Sequence, residues 1–154
     1  MTKYKVFFTI FLIVMLSTIY VVKSANATTM SVKIPKGEKI SQTIELKEGD
    51  QLAIQFTVIG QMTNLISFSI SFPNSAQISY GEVTDINQTL QCNATGEYIL
   101  NFINNDNTED KLVTLNYNIE HYIFGIPKLF FFAIIIALIC LVMIAAIALM
   151  GKSI

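Results

Sequence analysis

The chain has 154 residues, 53% hydrophobic and only 14% charged, with ten lysines, no arginine, eleven acidic residues and a single histidine. All eleven acids, against only five lysines (Lys33, Lys36, Lys39, Lys47 and Lys111), lie between Thr28 and Pro127, so that segment carries a formal charge of −6. Such a charge argues against nucleic acid as a partner and against docking on anionic lipid headgroups, and one histidine with two cysteines supplies too few ligands for a blue-copper or zinc centre.

At the start, Lys3 and Lys5 precede an apolar run from Val6 to Val22, followed by Lys23, Ser24 and Ala25-Asn26-Ala27. A basic start, an apolar middle and a small-x-small site make residues 1–27 a signal peptide with cleavage after Ala27. The alternative is an uncleaved anchor, which gives a two-helix hairpin. Either way residues 28–124 are expected outside the membrane as one domain.

Within that domain the apolar period is two, as in half-buried strands. Leu52, Ile54, Phe56 and Val58 alternate with Ala53, Gln55 and Thr57, and Ile66, Phe68, Ile70 and Phe72 alternate with Ser67, Ser69 and Ser71, whose side chains are expected to face water. Further strands are expected at 31–34, 40–46, 77–80, 86–92, 98–103 and 112–123. Pro35-Lys36-Gly37, Glu48-Gly49-Asp50, Gly60 and Thr95-Gly96 separate them at intervals that suit a sandwich. Cys92 falls in phase with Ile86 and Leu90 and is expected to be buried; Cys140 lies in the apolar helix, so the two cannot pair within one chain. Asn87-Gln88-Thr89 and Asn93-Ala94-Thr95 make Asn87 and Asn93 candidate glycosylation sites.

Asn104-Asn105-Asp106-Asn107-Thr108-Glu109-Asp110 reads as a solvated acidic hairpin loop. It lacks the Asp-x-Asx-x-Asx-Gly order of a known calcium loop, although its oxygens leave calcium as a rival reading. His121 is expected to be an interfacial polar residue, and neither it nor Cys92 stands in a recognisable nucleophile context. Beyond the last strand, Tyr122 and Phe124 suit an outer aromatic belt, and Gly125 and Pro127 form a short junction. Leu129 to Met150 carries no charge and, as a helix about 33 Å long, matches a hydrocarbon core of about 30 Å. Residues 125–150 are therefore junction plus transmembrane helix, and 151–154 a cytoplasmic tail. Ala133 and Ala137 form one small-xxx-small pair that leaves homo-oligomerisation open.

Gly96, Tyr98, Phe102, Asn104 and Lys111, set in two alternating strands around the acidic loop, carry a resemblance to the GOLD domain. The chain order also resembles the early-secretory-pathway cargo receptors that bear this domain. The resemblance implies an all-β, GOLD-like or jelly-roll-like antiparallel sandwich with an N-terminal signal helix and one C-terminal membrane helix. Those receptors usually have a disulfide in the sandwich, a coiled coil before the span and coat-binding tail signals, none of which this sequence displays. The departures suit a GOLD-like protein on a prokaryotic, archaeal-type surface.

These observations together predict a single-pass membrane protein, with the bilayer and a membrane or envelope protein as partners. It acts as an accessory subunit or adaptor, with no catalysis and no cofactor. Its partner-binding candidates are Asp106, Glu109 and Asp110, aided by Tyr122 and Phe124 through lateral docking. A cargo-receptor role and a calcium-dependent ligand-binding role are the alternatives.

Overall fold

Strands Ala27–Ile34 (β1), Lys39–Leu46 (β2), Gln51–Ile59 (β3), Ile66–Ser71 (β4), Gln77–Val83 (β5), Asp85–Gln91 (β6), Gly96–Ile103 (β7) and Lys111–Glu120 (β8) form two four-stranded antiparallel sheets. The computed structural model describes residues 27–150, so the expected signal segment and cytoplasmic tail both lie outside the described residues. One sheet has the order β1-β8-β3-β6 and the other β2-β7-β4-β5. The chain crosses between sheets at nearly every turn, which gives the double Greek-key order of a jelly roll.

The alternation seen in the sequence explains why the sheets face each other. On β3 the residues Leu52, Ile54, Phe56 and Val58 are buried and their neighbours exposed. Across the ladder Phe56 pairs with Leu115 and Val58 with Val113, so one face of the central strands is continuously apolar. From the opposite sheet come Ile44, Leu46, Ile66, Phe68, Ile70, Tyr98, Leu100 and Phe102. The rings of Phe56, Phe68 and Phe102 meet at centroid separations of 4.8, 5.0 and 5.2 Å, edge-on or tilted pairings worth about 0.5–1.5 kcal/mol each beyond their buried area. Cys92 is buried in the same core.

The Gly96-x-Tyr98 pair has a packing reason. Gly96 has φ +147°, and a Cβ there would lie 2.9 Å from Pro73 Cβ, so the strand enters the sheet where only glycine fits. Two residues on, the fully buried Tyr98 donates its hydroxyl to the Ala94 carbonyl at 3.0 Å, tying strand to preceding turn.

Two expectations need correction. The β4 serines do not all face water: Ser69 is only 6% exposed and accepts a hydrogen bond from Gln77 Nε2 at 2.7 Å. β4 is an inner strand, and the register shift at Phe68/Ser69 brings the neighbouring β5 side chain over it. The last long strand does not run on to Ile123 either, but ends at Glu120, with Tyr122–Ile123 (β9) pairing instead with Ile126–Pro127 (β10). Described by itself, the following helix, Lys128–Met150, is apolar on every side and long enough to cross a membrane.

Candidate functional site

Three loops meet at the end of the sandwich where β8 begins: 35–38, 60–65 and 104–110. Their meeting is organised by two buried polar side chains. Asn104 donates Nδ2 to the carbonyls of Ile34 (3.3 Å), Pro35 (3.2 Å) and Glu109 (2.9 Å), while its Oδ1 accepts the Asp106 N–H at 3.1 Å. Backbone bonds from Gly37 N–H to Asp106 O and from Asn104 N–H to Glu38 O close the same seam.

Lys111 is the second. It is completely buried, in phase with Val113 and Leu115 on the core side of β8. Its Nζ donates to Thr63 O (2.6 Å), Thr63 Oγ1 (2.8 Å) and Asp106 Oδ2 (3.2 Å), and pairs with Glu109 Oε1. Burial alone would push the lysine pKa down, but Glu109 and Asp106 outweigh it and leave the ammonium favoured. The Glu109 carboxylate in turn accepts the N–H groups of Gln61 (2.8 Å), Met62 (2.9 Å) and Thr63 (3.1 Å). Lys111 and these amides hold its pKa down to about 2. Asp106 is likewise lowered to about 2, first by the Thr108 hydroxyl and amide and then by Lys111. A Cβ on Gly60 would sit 2.0 Å from Thr63 O, so the turn closes this tightly only with glycine.

The loop is solvated at Asn105, Asn107, Thr108 and Asp110, as expected, but two of its acids are engaged by this clamp. Glu109 and Asp106 point at a buried ammonium, and Asp110 bonds Lys33 Nζ at 2.8 Å and the Lys36 N–H at 3.0 Å. The focus of the first two carboxylates is occupied by Lys111, the place that a calcium ion would need. Outside the clamp, Met62 is 81% exposed, and Ile59, Leu65 and Leu112 are exposed beside it. A hollow of about 170 Å³ runs alongside, lined in part by Leu65, Ser67, Glu82 and Asn105. The alternation Lys111-Val113-Leu115 was the signal that this lysine faces inward; its charge masked it.

The other candidates lie elsewhere. Tyr122 donates its hydroxyl to Gln51 Oε1 (3.0 Å) and Glu120 Oε2 (3.2 Å), at the end of β3 opposite Ile59. The acids and this tyrosine therefore do not share one surface. His121 Nδ1 lies 3.0 Å from the buried Asp50 carboxylate, which also accepts the Lys47 N–H. Phe124 is exposed in the β9–β10 turn, and Asn87 and Asn93 are both exposed, on β6 and just after it.

The model of the emp24/gp25L/p24 family/GOLD matches residues 29–124, all but the first two residues of this sandwich. The chain belongs to that family. In this GOLD domain, Gly96, Tyr98, Asn104 and Lys111 are buried or tightly packed groups of the fold. With the apolar helix that follows, the family fits a membrane-anchored β-sandwich. No curated protein matches the chain in sequence. Among solved structures the chain is similar to PliG of Aeromonas hydrophila, a periplasmic lysozyme inhibitor of g-type lysozyme, with 16% identity over 64% of this chain and 90% of that one (TM-score 0.45). PliG of Salmonella Typhimurium gives 15% identity over 64% and 91% (TM-score 0.45). The Drosophila NLP-core gives 15% over 58% and 96% (TM-score 0.36). At that distance none of these bears on what this GOLD domain does.

Proposed function

We propose that this chain is a single-pass membrane protein whose GOLD sandwich is held on the extracytoplasmic or lumenal side and binds protein partners, as an accessory subunit or adaptor of a membrane or envelope complex. The observation that carries the reading is a family-matched sandwich followed within a few residues by a helix able to span a bilayer. It is a binding module, not an enzyme. Purification of the tagged protein in gentle detergent, with a native gel and mass spectrometry, tests it. A stoichiometric membrane partner supports the adaptor reading, and migration as a monomer or homo-oligomer counts against it.

The loop end is the partner surface that we favour, because the clamp presents fixed loops with Met62 and Leu65 exposed, Leu65 and Asp106 lining one hollow, and Asp110 exposed in the same loop as Asp106. Glu109 then acts by fixing the loop, and Asp110 is the acid to test. Asp110→Ser should weaken partner capture in a domain that still folds; unchanged capture removes this site. Tyr122 is a lesser candidate, since its hydroxyl is already bonded within the domain. Glycans on Asn87 or Asn93 would appear as a mass shift abolished by Asn→Gln.

Family membership also favours a second reading, a receptor that carries cargo between membranes. Replacing residues 151–154 with a neutral spacer without altering the protein's distribution would count against it.

A further inference from the structure

We infer that the Phe124–Gly125 turn is a lipid-facing element, so that the surface inserted into the bilayer begins at Phe124 and not at the first residue of the helix. The inference rests on the membrane-anchored reading above. Phe124 and Gly125 have φ +52° and +75°, and they join the paired segments Tyr122–Ile123 and Ile126–Pro127 as a two-residue hairpin turn. Both central residues of such a turn are left-handed, which is why Asn, Asp or Gly normally fill the first position. A phenylalanine there crowds its own Cβ against the backbone, a strained conformation that persists only where the surroundings repay it.

Among the described residues, none covers the ring. Phe124 is 92% exposed, more than any other large hydrophobic residue among those described. In water the residue would bear both backbone strain and an unburied aromatic side chain. Its one aromatic neighbour among the described residues is Phe131, 6.0 Å away between centroids, in the first turns of the Lys128–Met150 helix. Phe130 and Phe132 flank Phe131 and are also exposed. The hairpin therefore lays Phe124 alongside helix residues that lipid must cover if the helix spans. The turn carries backbone groups outside any helix, so it belongs at the hydrated interface and not in the hydrocarbon centre. Aromatic rings favour that level, and Lys128 can extend its ammonium toward the headgroups.

Because the chain has no tryptophan, Phe124→Trp gives a single reporter. The full-length variant is placed in phosphatidylcholine vesicles whose acyl chains are brominated near the headgroup or deep in the tail, with acrylamide as the aqueous quencher. Phe131→Trp and Ile139→Trp report beside the turn and in mid-helix. We expect Trp at position 124 to lose most of its emission to shallow bromine and little to acrylamide, matching position 131, while position 139 responds to deep bromine. If the reporter at 124 is quenched by acrylamide and untouched by bromine while 131 and 139 respond to bromine, the turn faces water. In vesicles free of other protein, that is also how a turn reserved for a protein partner would behave, and the inference falls. If none of the three responds to bromine, the anchored reading falls and takes this inference with it.

Discussion

Lys111 illustrates how one residue can be costly and still necessary. An ammonium removed from water is offset only by its acceptors, and here two carboxylates, a carbonyl and a hydroxyl converge on it. Lys111→Met keeps the side-chain bulk but leaves Glu109 and Asp106 facing one another and the Thr63 carbonyl without its donor. Urea unfolding of the full chain in mild detergent should show a loss of about 3–5 kcal/mol, the range for breaking one partner out of a buried pair. A loss under about 1 kcal/mol would mean that the acids turn freely to water. The same clamp sets an acid sensitivity. Glu109 is lowered from 4.5 to about 2, and Asp106 from 3.8 to about 2. The unfolded chain thus binds protons before the folded one, and their contribution is intact above the unfolded values and drains as pH falls from 4.5 toward 2. Melting temperature followed across that window should fall with pH, and Glu109→Gln should flatten the slope; equal slopes for the two proteins would remove Glu109 from the account.

At the level of elements, the loops depend on side chains far away in sequence. Asn104 ties the 35–38 turn to the 104–110 loop through three carbonyls. Asn104→Ala should cost about 2–3 kcal/mol, since each orphaned partner loses its bond without gaining water. Amide exchange should localise the effect, faster at Gly37, whose N–H bonds Asp106 O, and unchanged at Gly49, whose N–H bonds Cys92 O at the other end. Uniform acceleration would instead indicate global destabilisation. The strands themselves were legible, because a period of two is written locally in Leu52-Ile54-Phe56-Val58 and Ile66-Phe68-Ile70. Ser69 was not, since its burial comes from an inner position and a register shift that no local pattern encodes.

For the molecule as a whole, contacts divide the described chain into the sandwich, ending at Tyr122, and a second unit from Ile123 onward. Both four-stranded sheets and the core between them lie within the first unit. A version comprising residues 27–122 should therefore be soluble and melt cooperatively, with a midpoint close to that of the sandwich transition in the full chain. The full chain should resist extraction from membranes by alkaline carbonate. A truncated version that aggregates or melts without cooperativity would show that the second unit stabilises the first.

Hydrophobic patterning by itself determined the all-β class and the C-terminal apolar span, because it is a local property that any window of the chain displays, while the GOLD resemblance rested on the particular residues Gly96, Tyr98, Phe102, Asn104 and Lys111. Tertiary structure decided the roles. The acids at 106 and 109 looked like free surface charge until β8 brought Lys111 beneath them, and Phe124 looked like one more belt aromatic until the turn geometry exposed its strain. Charge pairing and backbone conformation depend on which distant segments fold together, and a linear pattern carries neither.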